Sequence, residues 1–222
     1  MQHLDALMVR VADLRAASLH FLDACSWNGT ATGGSGCCDA DGNLSAKDIA
    51  ERARQLDEEL VMWAEGADGE WRYKVGNGED GATWRHEYSS IAHAAVWNRY
   101  RALGLIVNDI HLRTLEAGRH CAEGSRSVAE EMETCRKRME GLAEALCGGI
   151  DFFFRQPANL GEGMQGISPK LAWLLAWPMA IAVIVKGVEE RRRSWLRERL
   201  RSVAEALGDG VLGELVDGGF EF

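Results

Sequence analysis

Few side chains in this chain stand at spacings that perform chemistry. The histidines are His3, His20, His86, His93, His111 and His120. None falls in H-x-x-x-H or H-E-x-x-H, so the pairing that holds zinc on one helix face is missing. The spacing of His86, His93 and Tyr100 places His93 on a helix face with each of the other two, as structural side chains. The cysteines are Cys25, Cys37, Cys38, Cys121, Cys135 and Cys147, without a C-x-x-C pair. Cys37 and Cys38 are adjacent, and successive side chains diverge too far to chelate one ion well. They read as reduced thiols of an intracellular protein rather than a disulfide framework. No G-x-S-x-G, phosphate loop, dinucleotide-binding glycine pattern or nucleophile–base pair is present. Catalytic, cofactor-binding and metal residues are therefore expected to be none.

Asn108, Asp109 and Glu116 resemble part of the magnesium-binding N-D-x-x-S-x-x-x-E helix of class I terpene cyclases. Leu112 stands where that helix needs a hydroxyl, and no D-D-x-x-D partner exists in the chain. A metal–diphosphate site needs several carboxylates. A helical enzyme acting on an isoprenoid-like substrate is thus an alternative that lacks its main ligands.

The elements that must position any site are helical. Leu4, Leu7, Val11, Leu14, Ser18 and Phe21 share a face over residues 3–22. Ser45 and Asp48 form a variant capping box before the stripe Ile49, Ala53, Leu56, Leu60, Trp63, which Gly66 ends. A long helix is expected from His86 to Ala117. A further helix begins at the S-x-x-E box Ser127–Glu130 and runs to Gly148-Gly149. Ser168-Pro169 starts the next, and Trp195, Leu196, Leu200, Val203 and Leu207 mark the last, stopped by Gly208. The Gly-rich stretches 26–43 and 66–83 are loops, the first of them flexible. No segment alternates with period two for five residues. The class is all-α: one domain, a bundle of about six long helices.

The chain has 222 residues, 46% of them hydrophobic, enough for one full core. Its net charge of −9 disfavours nucleic acid as a partner of the whole surface. The amphipathic start MQHLDALMVRVADLR is interrupted by charges and is not a signal peptide. Leu171 to Val185 is an uncharged run of fifteen residues. As a helix it rises about 22 Å against a hydrocarbon core of about 30 Å. With Pro178 inside it, the run reads as a buried core helix rather than a single-pass anchor. Between Lys186 and Arg201 stand seven basic and three acidic residues. Glu189 and Glu190, one turn before Arg193, make this a solvated helix face rather than a nucleic-acid patch.

Three segments, taken in order, carry a resemblance. Leu56 to Tyr73, LDEELVMWAEGADGEWRY, is a helix ending L-x-x-W (Trp63), a loop, then W-x-Y (Trp71, Tyr73). Tyr88 to Leu112 contains W-N-x-Y-R (Trp97, Asn98, Tyr100, Arg101) followed by an aliphatic stretch. Leu171 to Leu200 holds Trp177-Pro178 and then W-L-x-x-R-L from Trp195. Cys147 to Phe154, CGGIDFFF, adds a short hydrophobic-aromatic stretch. This arrangement, over about residues 45–207, resembles the C-terminal regulatory region of fungal-specific transcription factors, whose N-terminal part carries a six-cysteine, two-zinc DNA-binding cluster. The resemblance implies a nuclear (or cytoplasmic) regulatory module that controls transcription through contacts with other proteins, with a small effector as a further input. It implies architectural rather than catalytic roles for those ten residues. Large tryptophans suit cross-helix packing, and Asn98 and Arg101 on an apolar helix need partners such as helix-end carbonyls. The zinc cluster itself is absent from this sequence, so zinc and direct DNA contact are not expected of it. The chain is then either the regulatory half of a longer factor or a standalone protein that pairs with an intact factor or with itself.

Overall fold

The computed structural model describes residues 4–28, 45–76, 85–118, 126–156 and 166–218. The architecture is all-α, as the periodicity predicts. The helices are α1 (Leu4–Asn28), α2 (Ala46–Glu65), α3 (Ile91–Gly118), α4 (Arg126–Phe154), α5 (Pro169–Ile184), α6 (Glu190–Leu207) and α7 (Gly210–Val216). Two three-residue strands, β1 (Lys74–Gly76) and β2 (Arg85–Glu87), form an antiparallel ribbon with Val75 opposite His86. Two compact units result, Met1–Gly66 with Ile106–Met139, and Ala67–Leu105 with Glu140–Phe222.

In the first unit the predicted stripe of α2 is buried from Ile49 to Trp63. Leu7, Val11 and Leu14 of α1 are buried with it. Arg10 Nη2 donates to Glu59 Oε1 across these two helices at 2.7 Å. The capping box forms as expected: Ser45 Oγ accepts from the Asp48 N–H, and Asp48 Oδ2 accepts from the Ser45 N–H, each at 3.2 Å. Two orphan donors of the helix start are thereby satisfied. Of the predicted loop 26–43, residues 26–28 close α1 and the rest lies outside the described residues.

The structure departs from the sequence reading in several places, and β1 lies inside the stretch 66–83 read as a loop. The helix expected from His86 starts at Ile91, and His86 sits in the ribbon. Ser90 stops the helix from extending backwards: its Oγ accepts the N–H of His93 at 3.2 Å, an N-cap bond. The glycine pair predicted to end the fourth helix lies inside α4, which continues to Phe154. Each glycine costs that helix about 1 kcal/mol against alanine. At Gly149 the close approach of Asn98 and Arg101 leaves no room for a side chain. Ser127 is likewise inside α4 rather than before it.

Helices α5, α6 and α7 pack on one another. Leu171, Leu175, Met179 and Ala182 of α5 are buried. Pro178 stays in the helix and removes one N–H, so the Leu174 carbonyl lacks its usual i+4 donor. The run expected as a buried core helix has one open face: Trp173 is 74% exposed and Trp177 40%. Among the described residues, no helix is long and apolar enough to cross a membrane. The C-terminal end of α5 is held by Arg193, whose Nη2 donates to the carbonyls of Val185, Lys186 and Val188 at 2.9–3.0 Å. Arg192 pairs with Glu140 (3.0 Å) and Glu144 (3.3 Å), and Arg197 with Glu190 (2.7 Å). The basic run is therefore a set of ion pairs and a helix cap, in keeping with a solvated face. Gly208, at φ 64°, takes the left-handed conformation that closes α6. Asp209 caps the short α7, which the sequence reading missed.

Charge-assisted bonds to carbonyls are the stronger kind. Arg193→Met is expected to lower unfolding free energy by about 2 kcal/mol, measured as a shift in the urea midpoint at unchanged slope. Loss of no more than a few tenths would show that the three carbonyls do not depend on it.

Candidate functional site

The W-N-x-Y-R turn of α3 sets up the candidate site, in the second unit. Residues three and four apart share a helix face, so Trp97, Asn98 and Arg101 point one way. Arg101 is 1% exposed, and Asn98 is buried completely. Arg101 Nη1 donates to the Tyr88 hydroxyl at 2.6 Å and to Asn98 Oδ1 at 2.9 Å. Its Nη2 lies 3.2 Å from His86 Nδ1, which is also 3.1 Å from the Tyr88 hydroxyl. The partners predicted for Arg101 as helix-end carbonyls are thus a phenol, a carboxamide and an imidazole. All three are neutral.

Aromatic rings complete the enclosure. The guanidinium carbon stands 4.8 Å from the centroid of Tyr73 and 5.8 Å from those of Tyr88 and Trp97. Tyr73 meets Trp97 edge-on at 5.0 Å, and Trp97 meets Tyr100 edge-on at 5.5 Å. Trp97 Nε1 donates to the Trp71 carbonyl at 2.6 Å, pinning the loop before the ribbon. From α4, Phe152 packs edge-on against Tyr88 at 5.1 Å, and Arg155 Nη2 donates to the His86 carbonyl at 3.3 Å. Gly149 of α4 is the closest backbone. A Cβ there would lie 2.0 Å from Asn98 Oδ1 and 2.6 Å from Arg101 Nη1.

A buried cation normally sits against a carboxylate. Among the described residues none is within ion-pair reach of Arg101; π faces and neutral acceptors take its place. This fixes the protonation states around it. His86 Nδ1 must offer its lone pair to two donors, which assigns the ring proton to Nε2. Burial, then the Arg101 charge, pushes the His86 pKa down to about 3. Burial pushes Tyr88 up to about 12, against the opposing pull of Arg101. At neutral pH the ring and the phenol are both uncharged, and neither is a base or nucleophile of use. Asn98 Nδ2 is buried without a hydrogen-bond partner among the described residues. The arrangement joins α3, α4 and the ribbon rather than presenting a reacting group.

The other predicted residues are spread out. Trp63 is buried at the end of α2 in the first unit. Trp71 contributes its carbonyl to the network while its ring stacks on His93 at 4.1 Å. Trp177 and Pro178 lie on α5; Trp195 lies on α6, with the Arg199 guanidinium 5.5 Å over its ring. His86, Tyr88 and Gly149 were missed as members of the network. The glycine pair beside an aromatic run in a helix-period segment was the available signal for Gly149; nothing in the sequence marked His86.

The magnesium reading can be checked directly. Asn108 donates to Asp57 at 2.9 Å, Asp109 lies 3.9 Å from Arg113, and Glu116 lies 3.4 Å from Arg136. The three side chains have separate partners. Among the described residues, no group of three or more His, Cys, Asp or Glu is placed to hold a metal ion. Comparison with family models, with curated proteins and with solved structures finds no match.

Gly149→Ala is expected to cost at least about 3 kcal/mol, because backbone, carboxamide and guanidinium must all shift. Chemical denaturation measures it, and a loss below about 1 kcal/mol would mean the contact relaxes freely. His86 supplies a second expectation. Its folded pKa is depressed, so unfolded chain binds a proton that folded chain does not between about pH 6.5 and 3. Stability present above pH 6.5 is lost as pH falls through that window, at up to about 1.4 kcal/mol per unit. His86→Gln should flatten this part of the pH–stability curve.

Proposed function

We propose that this chain is a non-catalytic regulatory module of a fungal-specific zinc-cluster transcription factor, acting in the nucleus through contacts with other transcription-regulatory proteins. The observation that supports this most is where the motif residues fall. Tyr73 from the first stretch, Trp97 to Arg101 from the second, and Phe152 from the CGGIDFFF stretch meet in one buried network. A shared node gives stretches distant in sequence a common reason to occur together. Its chemistry is inert, which agrees with an architectural role.

A surface suited to protein contact is also present. Trp173 and Trp177 stand one turn apart on the open face of α5. Exposed tryptophans are uncommon, and they are enriched where partners dock. The chain is expected to work while tethered to DNA by another domain rather than by touching DNA itself.

Fusion of residues 1–222 to an unrelated DNA-binding domain, with a reporter gene behind its operator, tests the proposal. The fusion should raise or lower the reporter relative to the DNA-binding domain alone, and Trp173→Ala with Trp177→Ala should weaken that effect at equal protein level. A reporter that does not respond, or sequence-specific DNA binding by the 222 residues alone in a gel-shift assay, would count against it.

A further inference from the structure

The first unit holds a polar cluster that the resemblance does not touch. His111 lies on α3; Glu131 and Cys135 lie four residues apart on α4, on one face. Cys135 Sγ is 3.4 Å from His111 Nδ1. The opposite nitrogen, Nε2, is 3.1 Å from Glu131 Oε1, at an oblique approach that leaves it without an aligned hydrogen bond. Thiol, imidazole and carboxylate thus stand in series. This is the order in which a nucleophile, its base and the group that orients the base are found. Cys135 and His111 are buried, while the Glu131 side chain is 38% exposed, so the series runs from interior to surface. Thr114, one turn along α3 from His111, has a buried hydroxyl without a hydrogen-bond partner among the described residues.

We infer that Cys135, His111 and Glu131 form a thiol-modification site for a small, uncharged α,β-unsaturated carbonyl compound. Cys135 is the nucleophile and His111 the base. The reagent must be small because the thiol is buried. It must be uncharged because burial disfavours a charge of either sign beside the thiol, and Glu131 and Asp57 act further against an anion. In the step, the Cys135 S–H proton passes to His111 Nδ1 as sulfur bonds to the β-carbon. The C=C electron pair moves toward the carbonyl oxygen, giving an enolate. The proton then returns from His111 to the α-carbon. Nothing leaves, and no oxidant or reductant is required. Glu131 faces the positive charge that His111 carries in between. Burial holds His111 below the ordinary histidine range, so the ring is a free base at neutral pH. The same burial raises the Cys135 thiol to about 11, so assisted removal of its proton matters. The other charged groups acting on the pair are Glu51, Arg54 and Asp57 of α2 and Arg136 of α4.

Cys147 is a built-in control: it is also a buried thiol, pushed up to about 12, and among the described residues no imidazole is paired with it. The folded full-length chain is treated with acrylamide, and adducts at Cys135 and Cys147 are followed by peptide mass mapping. Cys135 is expected to react at least about tenfold faster, a modest share of what a positioned base supplies. Its rate should level off between about pH 7 and 9, above the range of the imidazole. His111→Gln should slow Cys135 about tenfold and leave Cys147 unchanged. Equal rates at the two thiols, a Cys135 rate that keeps climbing tenfold per pH unit, or indifference to His111→Gln overturns the inference. If that variant unfolds, Cys147 accelerates as well; the unmodified chain's pH profile and Glu131→Gln, which should slow Cys135 alone, then decide.

Discussion

A guanidinium buried without a carboxylate partner among the described residues constrains the second unit. Moving such an ion out of water costs several kcal/mol even after relaxation. Arg101 recovers this only if every neighbour is correctly placed: the Tyr88 hydroxyl, the Asn98 carboxamide, the His86 lone pair and three ring faces. These groups come from α3, from the ribbon and from the loops beside it. None can move alone without leaving a buried charge or a buried acceptor exposed to nothing. The ribbon has strands of three residues each, far below what stands by itself in water. It persists because His86 and Tyr73 are held by this cation. The same requirement explains the glycine inside α4. Helix propensity argues against Gly149, but any side chain there would occupy the place of Asn98 Oδ1. Tertiary packing overrides the local preference.

That override also marks where the sequence was legible and where it was not. Helix faces were readable because burial follows a 3.6-residue period: the α2 stripe from Ile49 to Trp63 is buried at each predicted position. Local capping was readable too, since Ser45 and Asp48 need only each other. What could not be read depends on partners far along the chain. Nothing near His86 says that it pairs with a residue fifteen positions on. Ser90 is the exception, a cap signal that was present and missed in favour of an unbroken apolar pattern. The missed α7 has a different cause. Seven residues with four glycine or valine positions carry too little periodicity to stand out, and Asp209 is the strongest sign of its start.

The apolar run of α5 shows how length and composition bound an answer without completing it. Sixteen residues give a helix of about 24 Å, too short for a bilayer core of about 30 Å. Length and Pro178 then pointed to a buried core helix. Yet the run has one face to spare, and its two largest side chains occupy it. Placing Trp173 and Trp177 in water rather than in the core is unfavourable by about 25 cal/mol for each Å² left uncovered. Covering that face with a partner would remove this cost, which is why the proposed function leans on protein contact.

The buried polar clusters around Arg101 and around His111 differ in a way that separates structure from reactivity. Around Arg101 the His86 Nδ1 lone pair and the Tyr88 oxygen each meet a donor, and protonation of His86 would set a new N–H against the guanidinium. Such a network resists change in charge and is best suited to holding backbone elements. Around His111 the balance is reversed. The imidazole presents a lone pair to an S–H, and its far nitrogen faces a carboxylate able to receive positive charge. Gain of a proton there relieves no clash and creates an ion pair where a loose contact stood. Burial disfavours the charged forms at both places. What the two differ in is the sign of the nearest charge, a cation beside His86 and a carboxylate beside His111. That sign, rather than depth, makes one histidine a fixed acceptor and the other a usable base.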